Sequence, residues 1–218
     1  EVHAFVKEVY RIRTGPERMY LLDYERTMSE YFSEDASSFV DEEVVLGIRN
    51  TDVEMAESEG GNIVAFAQNG VLYSLNVTEN RIARLFSFHD ADNLDERAFP
   101  DDRNFKILQV DEAGNVFFMV YGYISSGRRQ GYCGAQLYFY DGSANTVEEL
   151  AFIPSGKSPE ILKAQIDQLA YINGKYELYL FLNDQICCVH LDSQTVDITA
   201  ENLSMDSCSV SESNRMIA

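Results

Sequence analysis

The residues with the clearest potential for chemistry form an acidic segment between positions 89 and 102. Six carboxylates fall within these fourteen residues, and Ca²⁺ takes about six to eight oxygen ligands. Asp90, Asp92 and Asp95 are the candidate ligands, because their spacing lets one loop bring them together. The Gly and the Glu that an EF-hand requires at two fixed positions are missing. The alternative interpretation is a solvated acidic connection between two folded elements.

A second segment, residues 126–134, reverses the charge of its surroundings. It reads Ser-Gly-Arg-Arg-Gln-Gly-Tyr-Cys-Gly, with two adjacent arginines in an otherwise acidic chain. Arg and Tyr are enriched among the residues that dominate binding interfaces, and loops on a rigid scaffold often carry binding residues. We therefore predict that Arg128, Arg129 and Tyr132 contact a ligand or partner. The alternative is an ordinary hairpin tip.

Other short motifs do not complete a catalytic or cofactor site. The Gly-Lys-Ser run at 156–158 matches the end of a phosphate-binding loop, but Ala151 stands where that loop requires Gly. Alternation along a strand separates Cys187 from Cys188 and His190, which leaves two ligands where Zn²⁺ takes four. The sequence predicts no catalytic residue and no cofactor-binding residue. Paired carboxylates for glycoside cleavage stay open, because their separation in space is not visible in a sequence.

Composition limits the classes of function. The 218 residues include 36 acidic and 17 basic side chains, for a net charge of −19. Such a surface repels a phosphate backbone, so nucleic-acid binding is disfavoured. No run approaches the ~20 apolar residues of a membrane span, so we expect membrane contact only through parts of a parent protein outside this chain. The four cysteines form no Cys-x-x-Cys pair and leave the redox compartment open.

A repeated pattern indicates the elements that position these residues. Four segments share an apolar, strand-forming run that ends in Asp or Asn and continues through a polar turn into a second short run, which is typical of a β-hairpin. The four runs end at Asp23, Asn76, Asp141 and Asp192. The spacing between successive positions is longer than a minimal propeller repeat of about 40 to 50 residues, and loop insertions account for the difference.

A second recurring sequence motif precedes three of these hairpins. Each copy passes from a polar turn through Gly and another polar residue into a strand, at residues 58–66, 111–119 and 171–178. Residues 211–218 begin a fourth copy with Asn in the Gly position, and Asn is the usual substitute where a turn needs positive φ. One unit therefore reads as four antiparallel strands joined in chain order.

On these phrases, most of residues 58–218 resembles the blades of bacterial β-propellers of the TolB-like and WD40-like kind. The repeats of those proteins carry a Ser-x-Asp-Gly-x-x-Ile-Ala-Phe-like turn before the second strand. Here another residue replaces the Asp in every copy, and Trp is absent from the chain. The resemblance implies an architecture and no specific protein, and it carries no ligand or catalytic residue over to this chain.

The predicted fold is all-β: a β-propeller or an arc of one, with about four four-stranded antiparallel blades. A β-sandwich is the alternative. The whole of 1–218 is expected to be a single propeller-like domain and a fragment of a longer chain. Its approximate blades are 1–33, 39–88, 103–153 and 164–203, with 205–218 starting or completing another.

Two stretches allow a helix. In the first blade, residues 19–24 and 27–32 are predicted to form two strands separated by a turn, although tyrosines near helical spacing make a helix over 17–34 the alternative. Ser158 followed by Pro159 is a favourable helix start, which predicts a short helix inserted between blades.

The resemblance and the loop chemistry together favour a non-catalytic domain that binds a protein, peptide or glycan through its blade loops. The alternative is the propeller part of a hydrolase, either a glycosidase or a peptidase whose catalytic domain lies outside this chain. Acidic or His side chains converging in a central funnel would favour the hydrolase. No cofactor is expected apart from the Ca²⁺ considered above. The resemblance also implies an extracytoplasmic bacterial protein, at the cell surface or secreted.

Overall fold

The computed structural model describes residues 4–15, 18–30, 39–40, 43–44, 53–68, 70–88, 103–124 and 127–204. The chain divides into two compact units, Glu1–Val53 and Glu54–Ala218. Among the described residues the first unit contains two antiparallel hairpins. The longer one pairs β1 (Ala4–Thr14) with β2 (Met19–Glu30), and the shorter one pairs β3 (Phe39–Val40) with β4 (Glu43–Val44).

The structure corrects the turn predicted at Asp23. β2 continues through this position without a break, and Asp23 lies opposite Arg11, so neither two short strands nor the alternative helix forms here. Pairing with the 11-residue β1 supplies backbone hydrogen bonds along the segment, which outweighs the local turn preference of Asp. Tyr24 packs across the ladder against Tyr10, with the ring centroids 5.0 Å apart. Within the predicted blade 1–33, the described residues thus form a two-stranded hairpin.

The second unit contains three four-stranded antiparallel sheets in which the strand order follows the chain. The first sheet consists of β5 (Met55–Glu57), β6 (Ile63–Gln68), β7 (Val71–Asn76) and β8 (Arg81–Ser87). The second consists of β9 (Arg103–Val110), β10 (Val116–Tyr123), β11 (Cys133–Asp141) and β12 (Thr146–Pro154). The third consists of β13 (Ala170–Ile172), β14 (Glu177–Leu182), β15 (Gln185–His190) and β16 (Thr195–Ala200).

These sheets are the four-stranded meanders that the repeated phrases predict, and the all-β fold class is confirmed. The first, second and third sheets lie in the segments predicted as blades 39–88, 103–153 and 164–203, but residues 39–40 and 43–44 of the first segment form the separate β3–β4 hairpin. No further four-stranded sheet occurs among the described residues. The element predicted at 205–218 lies outside them.

The turns of the three sheets recur at equivalent positions. The residue directly before the fourth strand has positive φ in every sheet, with φ of 51° at Asn80, 54° at Asn145 and 55° at Gln194. At the end of β11, the Asp141 carboxylate accepts hydrogen bonds of 2.8 and 2.9 Å from two backbone N–H groups of the following turn. An Asp at a strand end therefore stops the strand by bonding its own turn, as expected for this residue type.

The three sheets stack in chain order around two apolar cores. One core lies between the first and second sheets and includes Leu72 and Phe118, and the other lies between the second and third sheets and includes Met119 and Leu180. The first strands β5, β9 and β13 contact one another in sequence, whereas the fourth strands β12 and β16 contain no fully buried residue. Consecutive propeller blades are arranged in this way, so the second unit forms a propeller arc.

The helix predicted after Ser158 is present as α1 (Pro159–Gln168). Ser158 occupies the N-cap position, and Pro159 lies in the first turn, where its missing N–H has no helical partner to lose. Leu162 and Ile166 are fully buried in the core between the second and third sheets. The helix thus fills space between two blades, as the sequence indicated.

Candidate functional site

A cavity of about 230 Å³ lies between the first and second sheets. Its walls come from the end of β8, the start of β9, the end of β10 with the segment that follows it, and the middle of β11 and β12. The lining residues with polar side chains are Ser87, Arg103, Tyr121, Tyr123, Arg128, Arg129, Gln136, Tyr138 and Glu149. Among the described residues that line the cavity, three are arginines and one is a carboxylate, so these residues contribute excess positive charge in a chain whose net charge is −19.

The segment between β10 and β11 brings two of the residues predicted from sequence to this cavity. A 3₁₀ turn covers Gly127–Arg129, and the N–H of Ile124 donates to the carbonyl of Tyr132 at 2.8 Å, which extends the hairpin beyond its strands. Arg128 and Arg129 line the cavity. Tyr132 does not line it and is 58% exposed beside it in the chain.

A polar wall on β11 and β12 holds Arg129. Its Nη2 lies 3.3 Å and its Nε 3.4 Å from Oε1 of Glu149. Gln136, which is buried, donates from Nε2 to the other carboxylate oxygen at 3.2 Å. The Arg129 guanidinium also lies over the Phe152 ring, 4.8 Å from its centroid. The charge of Arg129 is therefore balanced inside the protein.

Arg103, the first residue of β9, has no such balancing carboxylate among the described residues. Its guanidinium lies over the Phe88 ring, 5.3 Å from the centroid, and its Nε and Nη2 atoms are buried without a hydrogen-bond partner among the described residues. Desolvation lowers the pKa of this guanidinium from its ordinary value, although an arginine remains charged in proteins. A buried unsatisfied donor costs about 1–3 kcal/mol. Packing alone gives no reason for such a residue here.

The apolar wall of the cavity is an aromatic cluster whose ring faces are already in contact. Phe88 stacks on Phe105 with centroids 4.5 Å apart and an interplanar angle of 18°. Tyr138 stacks on Phe118 with centroids 5.3 Å apart and an angle of 15°. Burial, assisted by the nearby Glu149 carboxylate, raises the pKa of Tyr138 to about 12. Its phenol is therefore neutral at physiological pH.

Sequence reasoning missed Arg103, Gln136 and Glu149. They lie on three different strands, and the structure brings them to one cavity. A single Arg at the start of a strand, or a Gln and a Glu within strands, has no local signature of a site. Only the pairing of strands into the second sheet, which contains all three of them, places them together.

The calcium site predicted at Asp90, Asp92 and Asp95 lies outside the described residues, and it stays a prediction. Within the part of the chain that the structure describes, no group of three or more His, Cys, Asp or Glu side chains is placed to hold a metal ion.

Cys187, Cys188 and His190 all lie on β15. Cys187 and Cys188 are both buried free thiols, and burial raises the pKa of each. The Nε2 atom of His190 lies 3.1 Å from Oδ2 of Asp197 on β16. Sγ of Cys133 donates to the carbonyl of Lys157 at 3.7 Å, while Cys208 lies outside the described residues.

No protein-family model and no curated protein matches the sequence. Among solved structures, the chain is similar to dipeptidyl peptidase 4 of Porphyromonas gingivalis, with 9% identity, a TM-score of 0.45, and coverage of 94% of this chain and 33% of that one. It is also similar to an extracellular domain of B. thetaiotaomicron from a protein assigned as a one component system, with 12% identity, a TM-score of 0.27, and coverage of 83% and 26%. The chain thus spans about a third or less of these proteins.

The propeller assignment rests on the strand order and stacking described above, because likenesses of this degree carry no functional argument. No helix in the described part of the chain is long and apolar enough to cross a membrane.

Proposed function

We propose that this propeller arc is a non-catalytic binding module that takes a protein, peptide or glycan ligand at the arginine-lined cavity and its adjoining loop. The observation that carries the proposal is the cavity itself, whose described lining includes three arginines and one carboxylate. The surrounding interface between the first and second sheets is apolar. Polar groups in such a place reduce stability unless they are paired, so their presence favours a role in recognition.

The rim of the cavity has the composition of a contact surface. Arg128 and Tyr132 are exposed, and Arg and Tyr are the residue types that most often dominate binding energy. The loop that carries them is anchored at its base by the Ile124–Tyr132 hydrogen bond. An anchored loop loses less conformational freedom when a ligand binds, which favours affinity.

The proposal is tested by probing the labelled chain against an array of peptides and an array of glycans. Wild-type protein should bind members of one array, and Arg128→Ala combined with Tyr132→Ala should lose that binding while the chain stays folded by circular dichroism. Arg81→Ala is the matched control, because Arg81 is exposed at the opposite end of β8 and pairs with Glu79 at the surface. Absence of binding on both arrays, or equal binding by the double variant, would refute the proposal.

The extracytoplasmic compartment expected from the propeller resemblance belongs to the same proposal. It is tested by locating the parent protein in fractionated cells with an antibody to this domain. Recovery in the cytoplasmic fraction would contradict it.

A further inference from the structure

We draw no further inference here: the strongest candidate, the exposed apolar face of the β1–β2 hairpin that includes Tyr10, Ile12 and Leu21, carries nothing because nothing in the structure shows what covers it.

Discussion

The two interfaces between neighbouring sheets of the propeller arc differ in whether their polar groups have hydrogen-bond partners. Between the second and third sheets, Nζ of Lys157 lies 2.6 Å from Oδ2 of Asp184, and the buried Gln165 of α1 donates to the other oxygen at 2.8 Å. Gln165 also accepts the backbone N–H of Asn183 at 2.9 Å. Between the first and second sheets, Arg103 keeps two buried donors without partners among the described residues.

The difference separates a structural interface from a candidate binding site in one fold. Both interfaces join similar sheets, so the stacking itself requires no unpaired cation. In the second interface α1 fills the space and each polar group of the network has a partner. In the first interface a cavity remains, and the described residues that line it include three arginines and one carboxylate.

The largest predicted effect is loss of the helix packing in the second interface. Leu162→Ala removes a fully buried side chain and should lower the free energy of unfolding by about 2–5 kcal/mol. Denaturant titration followed by circular dichroism measures this change. Ile161→Ala, at a neighbouring position that is 45% exposed, should change it by no more than about 0.5 kcal/mol. Similar effects for both variants would show that α1 does not fill the interface.

The next effect concerns the balanced polar network. Gln165→Leu removes the partner of the Asn183 N–H and should cost about 1–3 kcal/mol of unfolding free energy. The matched variant in the first interface is Gln136→Leu, which should cost less, because Glu149 keeps Arg129 as a partner. The same denaturant titration measures both. A larger loss for Gln136→Leu would reverse the comparison between the two interfaces.

Arg103→Met is predicted to act in the opposite direction and to stabilise the ligand-free protein. It replaces an unpaired buried cation by an apolar side chain of similar length, with an expected gain of about 1 kcal/mol in unfolding free energy. Thermal unfolding without ligand should show a higher Tm than the wild type. A decrease in Tm would mean that Arg103 has a structural partner and would contradict the comparison of the two interfaces.

The smallest predicted effect is an alkaline loss of stability from the cavity tyrosine. The folded-state pKa of Tyr138 is raised to about 12, above the ~10 of an unfolded chain. The stabilisation from its neutral phenol is therefore complete below about pH 10 and is lost as the pH rises through about 12. Tyr138→Phe should reduce the fall in Tm between pH 9 and about pH 11. Identical pH profiles for variant and wild type would contradict the buried environment of this phenol.

Much of the fold was predictable because its signals are local. Gly and Asn at turns, and Asp141 bonding its own turn, define strand ends within a few residues. The same local rule gave the wrong turn at Asp23, because a partner strand 12 residues away along the chain supplies hydrogen bonds that a local signal does not include. The cavity was partly predictable for a similar reason. Arg128 and Arg129 are recognisable in the sequence as two adjacent cations. Arg103 has no local signal, because its position at the cavity results from the packing of two sheets.

The most direct test of the central claim asks whether Arg103 is an unpaired cation in the folded chain, and side-chain NMR of the arginine Nε–H groups measures this. The Arg103 resonance is assigned by its loss in Arg103→Met. The account predicts an Arg103 Nε–H proton that exchanges slowly with solvent, because the atom is buried, and that lacks the downfield shift of a hydrogen bond to a carboxylate. An Arg103 signal with the shift of a carboxylate pair would contradict the account.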